Sequence, residues 1–195
     1  MKERINIMTS EITLALVPQE ELIIMKKEIQ EAFLKGLYDC FPDAEDPLKM
    51  GIVPSEEDYE QSLFGTDSVV RQLIQDGKRI GGVVLQIDEE KGRNEVVFFY
   101  TLSAAHGKGI GTKAWFAIEA AFPETKVWEL YTPYFEKRNI HFYVNKCGFK
   151  NVEFNHKGYP GSNEEAKDPI FDEFEFFRFE KVMTKASSDV KASEN

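Results

Sequence analysis

The chain has 195 residues, 24 of them basic and 34 acidic, for a formal net charge of -10, with 42% hydrophobic and 30% charged residues. This length and balance describe one globular domain with a sizeable core, and exclude two ordinary domains or an intrinsically disordered chain. The acidic surplus argues against a nucleic-acid or anionic-membrane surface, either of which needs clustered Lys and Arg, and fits a cationic small molecule better.

Met1 to Ile12 carries Lys2, Glu3, Arg4 and Glu11 and no apolar run long enough for a signal peptide. No stretch approaches the roughly 20 apolar residues of a membrane helix, so a cytoplasmic protein is expected. Cys40 and Cys147 stand far apart without a Cys-x-x-Cys pattern, which predicts reduced, buried thiols and neither a disulfide framework nor a metal site.

Ile12 to Val17 is predicted as a short first strand. Pro18 then opens a long amphipathic helix from Gln19 to Leu37, with Leu22, Met25, Ile29, Phe33 and Leu37 as its apolar stripe. A loop with three prolines and a glycine runs from Phe41 to Pro54, and Ser55 with Asp58 marks the start of a second helix ending near Phe64. Between Asp39 and Glu60 stand eight acidic residues and one basic, Lys49, a local charge of -7. Such a run is either a solvated face or a wall that attracts amines. Ser68 to Gln75 and Lys78 to Ile87 read as a hairpin, because both residues of the Asp76-Gly77 turn tolerate positive φ.

After a turn at Glu90 to Asn94, six of the seven residues from Val96 to Leu102 are apolar or aromatic, a buried strand. Lys113 to Phe122 reads as a helix that Pro123 ends, and Gly107, Gly109 and Gly111 lie in the turn between. The first amides of a helix lack intrahelical partners and carry the positive end of its dipole, so glycines there let an anion rest against backbone N–H groups. The spacing is neither a dinucleotide fingerprint nor a nucleotide-binding P-loop. By itself the turn leaves open both a phosphate site and a ligand-free connection.

Val127 to Tyr131 is a further strand. Asn139 to Cys147 follows as a helix with the stripe Ile140, Tyr143, Val144 and Cys147, and Gly148 is its left-handed cap. Phe149 to Phe154 and Phe174 to Met183 are two last strands, joined by a loop with Gly158, Pro160, Gly161 and Pro169. The domain is expected to span residues 1–183, with 184–195 as a small, polar, frayed tail.

Taken together, strand, glycine turn, helix, strand and then Asn-x-x-x-(Phe/Tyr)-Tyr-x-x-x-Gly-Phe resembles the GNAT superfamily of acetyl-CoA-dependent N-acetyltransferases. Asn139, Tyr143, Gly148 and Phe149 match their slots apart from spacing that varies by a residue, and the motif-level resemblance covers Glu95 to Phe149. His106 departs from it, standing where the family usually carries Gln or Arg; a turn that works through backbone amides is little affected. The resemblance implies a single α/β (α+β) domain around a mixed, mostly antiparallel sheet flanked by helices and splayed between its fourth and fifth strands.

It also implies site residues. Amides of Gly107, Lys108, Gly109, Ile110, Gly111 and Thr112 would hold the pyrophosphate of coenzyme A, and the backbone of Phe99, Tyr100 and Thr101 would pair with the pantetheine arm. Asn139 would contact the pantetheine, and it reads equally as a helix N-cap. Lys108 and Lys113 are either phosphate partners or solvated lysines.

A protonated alkylamine, with a pKa near ~10.4, must lose a proton before it attacks a thioester, the oxyanion then formed needs a donor, and the departing thiolate needs an acid. The resemblance gives the donor's task to a backbone amide of the fourth strand and the acid's task to Tyr143, which its place on an apolar stripe also explains as plain core. Glu95 is the leading base, fourteen residues before Gly109, the offset of the catalytic glutamate in histone-type members. Its other reading is a solvated residue at a strand entrance. Tyr100 and Glu129 are lesser candidates, and His141 reads as a surface histidine without a partner.

The implied activity is transfer of an acetyl group from acetyl-CoA to a primary amine of a small molecule, of polyamine or aminoglycoside type, by direct attack in a ternary complex. Its rivals are a protein or peptide N-acetyltransferase, a non-catalytic acyl-CoA-binding sensor, and a module that binds ATP at the glycine turn. A homodimer is compatible with each.

Overall fold

The structure, a computed structural model, describes residues 11–43, 53–105, 109–155 and 175–184. The chain begins with β1 (Ile12–Leu16), a 3-10 turn (Gln19–Glu21), α1 (Leu22–Cys40) and α2 (Glu56–Phe64). There follow β2 (Ser68–Gln75), β3 (Lys78–Gln86), β4 (Arg93–Thr101) and α3 (Ile110–Ala121). After these come β5 (Val127–Pro133), α4 (Lys137–Phe142) continued by a π turn (Tyr143–Cys147), β6 (Lys150–Asn155) and β7 (Phe176–Val182). The glycine- and proline-rich loop after β6, residues 106–108 and the tail from residue 185 lie outside the described residues.

One seven-stranded sheet carries the order β1-β2-β3-β4-β5-β7-β6, antiparallel throughout except for the parallel pair β4 and β5. The mixed, mostly antiparallel sheet expected above is therefore present. Local chemistry explains its punctuation. The amide of Asp58 donates to Ser55 Oγ at 3.2 Å while the Asp58 carboxylate accepts from the Ser55 amide at 2.7 Å, a complete capping box. Asp76 and Gly77 take φ of 51° and 72°, the pair of left-handed residues that a two-residue hairpin turn requires.

Both faces of the sheet are covered. On one, Ala114, Trp115 and Ile118 of α3 pack with Tyr143 and Phe149 onto Val83, Leu85, Val96, Trp128 and Leu130. On the other, Met25 and Ile29 of α1 and Tyr59 and Leu63 of α2 pack onto Val84, Phe98 and Tyr100. Strict alternation along β4 would put Val96 and Phe98 on one face. They lie on opposite faces because β3 pairs Leu85 with Val96 and Val84 with Phe98, leaving Val97 as a bulge.

Four expectations are corrected. The helix of the Asn-x-x-x motif starts at Lys137, so Asn139 lies within its first turn and Glu136 takes the N-cap position. Its second half is a π turn, in which the Gly148 amide donates to the Tyr143 carbonyl, five residues back. That step outruns the 3.6-residue phase, and Val144 leaves the apolar stripe at 37% exposure. Cys147 is buried as expected, but Cys40 is only half-buried, its thiol 3.8 Å from the Phe135 carbonyl. His141 is exposed and pairs with the Asn145 amide at 3.0 Å, so it does have a partner.

Candidate active site

β4 and β5 pair at three positions only, Arg93 with Val127, Asn94 with Trp128 and Glu95 with Glu129, and then part. Among the described residues, no strand lies from Val96 to Tyr100 along the edge of β4 that faces away from β3. The expected splay is thus real, and Glu95 sits at its vertex. A cleft of about 740 Å³ opens there, lined by the parted strands, the start of α3 and residues of α4. Clefts of this size take drug-sized ligands.

At the cleft's edge, Gly109 is the N-cap of α3 with φ 71° and ψ 24°, and no side chain of the described residues caps the helix. Among the described residues, a Cβ at Gly109 would meet nothing within 4 Å, so there is open space beside the start of α3. A Cβ at Gly111 would lie 3.2 Å from the Phe142 ring, so this glycine admits the close approach of α4 to α3. The amides of Ile110, Gly111 and Thr112 precede the first helical bond, from the Lys113 amide to the Gly109 carbonyl at 3.0 Å, and point at the open space with the dipole's positive end. The exposed edge of β4 offers amide and carbonyl groups to an extended chain. An anionic ligand bearing an amide-containing arm, as coenzyme A is, fits both features. Of the residues expected to hold it, Phe99, Tyr100, Thr101, Gly109, Ile110, Gly111, Thr112, Asn139 and Tyr143 all line this one cleft, while Gly107 and Lys108 lie outside the described residues.

Glu95 and Tyr143 reach the cleft from opposite faces of the sheet. Val96 and Trp128 pack on the α3 face, so their neighbours Glu95 and Glu129 project to the α1 face. Tyr143 belongs to the α3 face, 9% exposed, with its ring against Phe142 at 5.1 Å and Phe149 at 5.6 Å. It is therefore both a core residue and a cleft residue. Burial pushes its hydroxyl above the ordinary tyrosine range, which keeps it protonated at neutral pH.

Among the described residues the Glu95 carboxylate has no hydrogen-bond or ion-pair partner. Burial, and secondly the Glu129 charge beside it, push its pKa up from 4.5 to about 7. A carboxyl that holds its proton more tightly when folded contributes stability that is complete below pH 4.5 and is lost as pH rises through about 7. Glu95→Gln should therefore match the wild type near pH 4 and exceed its unfolding free energy by up to about 3 kcal/mol at pH 8. Urea titrations at the two pH values check this, and an equal effect at both would sink it.

The lesser base candidates are occupied. Tyr100 donates from its hydroxyl to Glu28 at 2.6 Å, and Glu28 also binds Arg79 at 2.8 Å. Glu129 accepts from Arg93 at 2.9 Å and from Arg178 at 2.8 Å, and Arg178 also holds Glu153 at 2.8 Å. This arginine network was not foreseen, since Arg178 is distant from Glu129 in sequence and only the β5–β7 register brings it there. The acidic run is also partly neutralised. Lys26 bonds Glu56 and Glu60 at 2.6 Å each, Lys35 bonds Asp39 at 2.7 Å, and Asp58 serves the helix cap. Glu136, overlooked in the sequence because it falls in a connection, lines the cleft.

A family model described as "Acetyltransferase (GNAT) family" matches residues 27–149. The chain belongs to the GNAT family of acetyltransferases. This GNAT protein is 41% identical over 179 residues to the "uncharacterized protein YrkN" of Bacillus subtilis (strain 168), covering 89% of this chain and 95% of that one. Its fold matches that of the PaiA N-acetyltransferase of Thermoplasma acidophilum in complex with coenzyme A (TM-score 0.61, 18% identity, 89% of this chain and 99% of that one). It also matches the spermidine N-acetyltransferase of Vibrio cholerae in complex with CoA and spermine (TM-score 0.56, 13% identity, 88% of this chain and 95% of that one). The GNAT chain is accordingly an N-acetyltransferase. Among its described residues no helix is long and apolar enough to cross a membrane.

Proposed function

We propose that the chain moves the acetyl group of acetyl-CoA to a primary amine of a small cationic molecule within a ternary complex, with Glu95 as general base and Tyr143 as general acid. One observation carries this reading: the two groups enter the same gap from opposite faces of the sheet, at the point where β4 and β5 part.

When bound, acetyl-CoA supplies a thioester carbonyl and a thiolate leaving group. The amides of Ile110, Gly111 and Thr112 would hold its pyrophosphate, Phe99 to Thr101 would align its pantetheine, and Asn139 would add a side-chain contact. Glu95 accepts a proton from the acceptor's ammonium at its carboxylate oxygen, and the freed nitrogen lone pair forms the new N–C bond. Tyr143 gives its hydroxyl proton to the sulfur as the C–S bond breaks, the surplus proton of the attacking nitrogen passes to the phenolate so that the amide leaves neutral and Tyr143 is restored, and Glu95 returns its proton to solvent. The desolvated gap favours the first transfer, because Glu95 with a pKa of about 7 is a stronger base than an exposed carboxylate. Likeness in fold to an enzyme solved with spermine supports a small amine as acceptor, and so does the chain's net charge of -10.

A panel of alkylamines, polyamines, aminoglycosides and peptides with acetyl-CoA, followed by thiol release and product mass, tests the proposal. Thiol release with one or more small amines is expected. Release with peptides alone would move the chain to the peptide class, and coenzyme A binding without release against the whole panel would make it a sensor. Thermal protection by ATP and none by coenzyme A would replace both with a nucleotide module.

A further inference from the structure

The charged side chains lining the cleft are Lys35, Asp58, Glu95, Glu136 and Arg138. Asp58 is taken up by the Ser55 cap at 2.7 Å. Both cations face Asp39, Lys35 at 2.7 Å and Arg138 at 4.0 Å. What is left over is negative: among the described residues, neither Glu95 nor Glu136 has a hydrogen-bond or ion-pair partner for its carboxylate.

Glu136 lines the cleft from the connection between β5 and α4, and Glu95 lines it from β4. After burial, Glu129 raises the pKa of Glu95, while Arg138 lowers and Asp39 raises that of Glu136. The fold makes room for it deliberately close to α1. A Cβ at Gly36 would lie 2.6 Å from Glu136 Oε1, so only glycine at that helical position lets the carboxylate rest where it does. A half-buried carboxylate that makes no ion pair or hydrogen bond among the described residues, and feels Arg138 only at longer range, gains from a positive group that arrives to pair with it.

Resting on the acetyl-transfer reading above, we infer that Glu136 binds a second positive charge of the acceptor, so that the substrate is a diamine or longer polyamine held at one end by Glu136 while its other nitrogen is presented to Glu95. A monoamine of equal length would fill the same space and leave Glu136 unpaired.

The test compares an α,ω-diamine with the n-alkylamine of matched length. In the wild type the diamine is expected to have the higher kcat/KM. A hydrogen bond between charged groups supports a preference of about 10- to 100-fold, and Glu136→Gln should reduce that ratio at least about tenfold, mainly through KM. Gly36→Ala supplies a second variant, since alanine favours the helix while its methyl displaces the Glu136 carboxylate; it too should reduce the ratio. Equal kcat/KM for the two amines in the wild type, or a ratio unmoved by both variants, overturns the inference while leaving acetyl transfer standing. Calorimetric titration of the diamine into the coenzyme A complex separates the remaining case. Binding lost in Glu136→Gln supports the Glu136 site even if no amine is acetylated, and no diamine binding in the wild type overturns it.

Discussion

Tyr143→Phe is expected to lower kcat by about 10²-fold, the scale of a lost general acid, while leaving affinity for coenzyme A nearly unchanged. Phenylalanine keeps the ring and with it the packing against Phe142 and Phe149, so the substitution removes only the hydroxyl. Because burial holds that hydroxyl protonated, the wild-type residue is ready to donate across the neutral range. Steady-state kinetics beside calorimetric titration with coenzyme A give the two quantities separately. Unchanged turnover would leave Tyr143 a core residue only; equal losses in turnover and cofactor affinity would point to misplaced pantetheine.

Glu95→Gln is expected to change the shape of the pH profile as well as its height. A base must be ionised, so wild-type kcat/KM should rise with pH through the Glu95 pKa of about 7. The glutamine variant lacks this limb, and its activity should climb only as the amine deprotonates unaided toward its own pKa near ~10. The deficit is therefore largest, about 10²-fold or more, between roughly pH 7 and 9, and narrows on the alkaline side. An isolated carboxylate of ordinary pKa would have extended the deficit well below neutrality. Parallel profiles for the two proteins from pH 6 to 10 would discard Glu95 as the base.

Much of the frame was legible in the chain because the signals are local. Ser55 and Asp58 announce the α2 cap, Asp76-Gly77 announces its hairpin, and Gly148 ends its helix with φ of 82°. The gap between β4 and β5 followed from the motifs flanking it. What could not be read depends on pairing at a distance. The run Val96-Val97-Phe98-Phe99-Tyr100 is apolar throughout, so no alternation betrays a bulge at Val97. Tyr100 looked available as a base until α1 supplied Glu28, and Glu129 until β7 supplied Arg178. Asn139 looked like a cap because its motif hides a helix that begins two residues earlier.

The single unpaired residue Val97 works as a change of parity in β4. Glu95, Phe98 and Tyr100 all project to the α1 face although odd and even positions should oppose one another. Counted in an unbroken strand, Glu95 would share its side with Phe99, and the large rings of Phe98 and Tyr100 would stand behind the sheet. The side of the sheet from which the proposed base faces Phe98 and Tyr100 thus hangs on one inserted residue, Val97, at the wall of the same cleft.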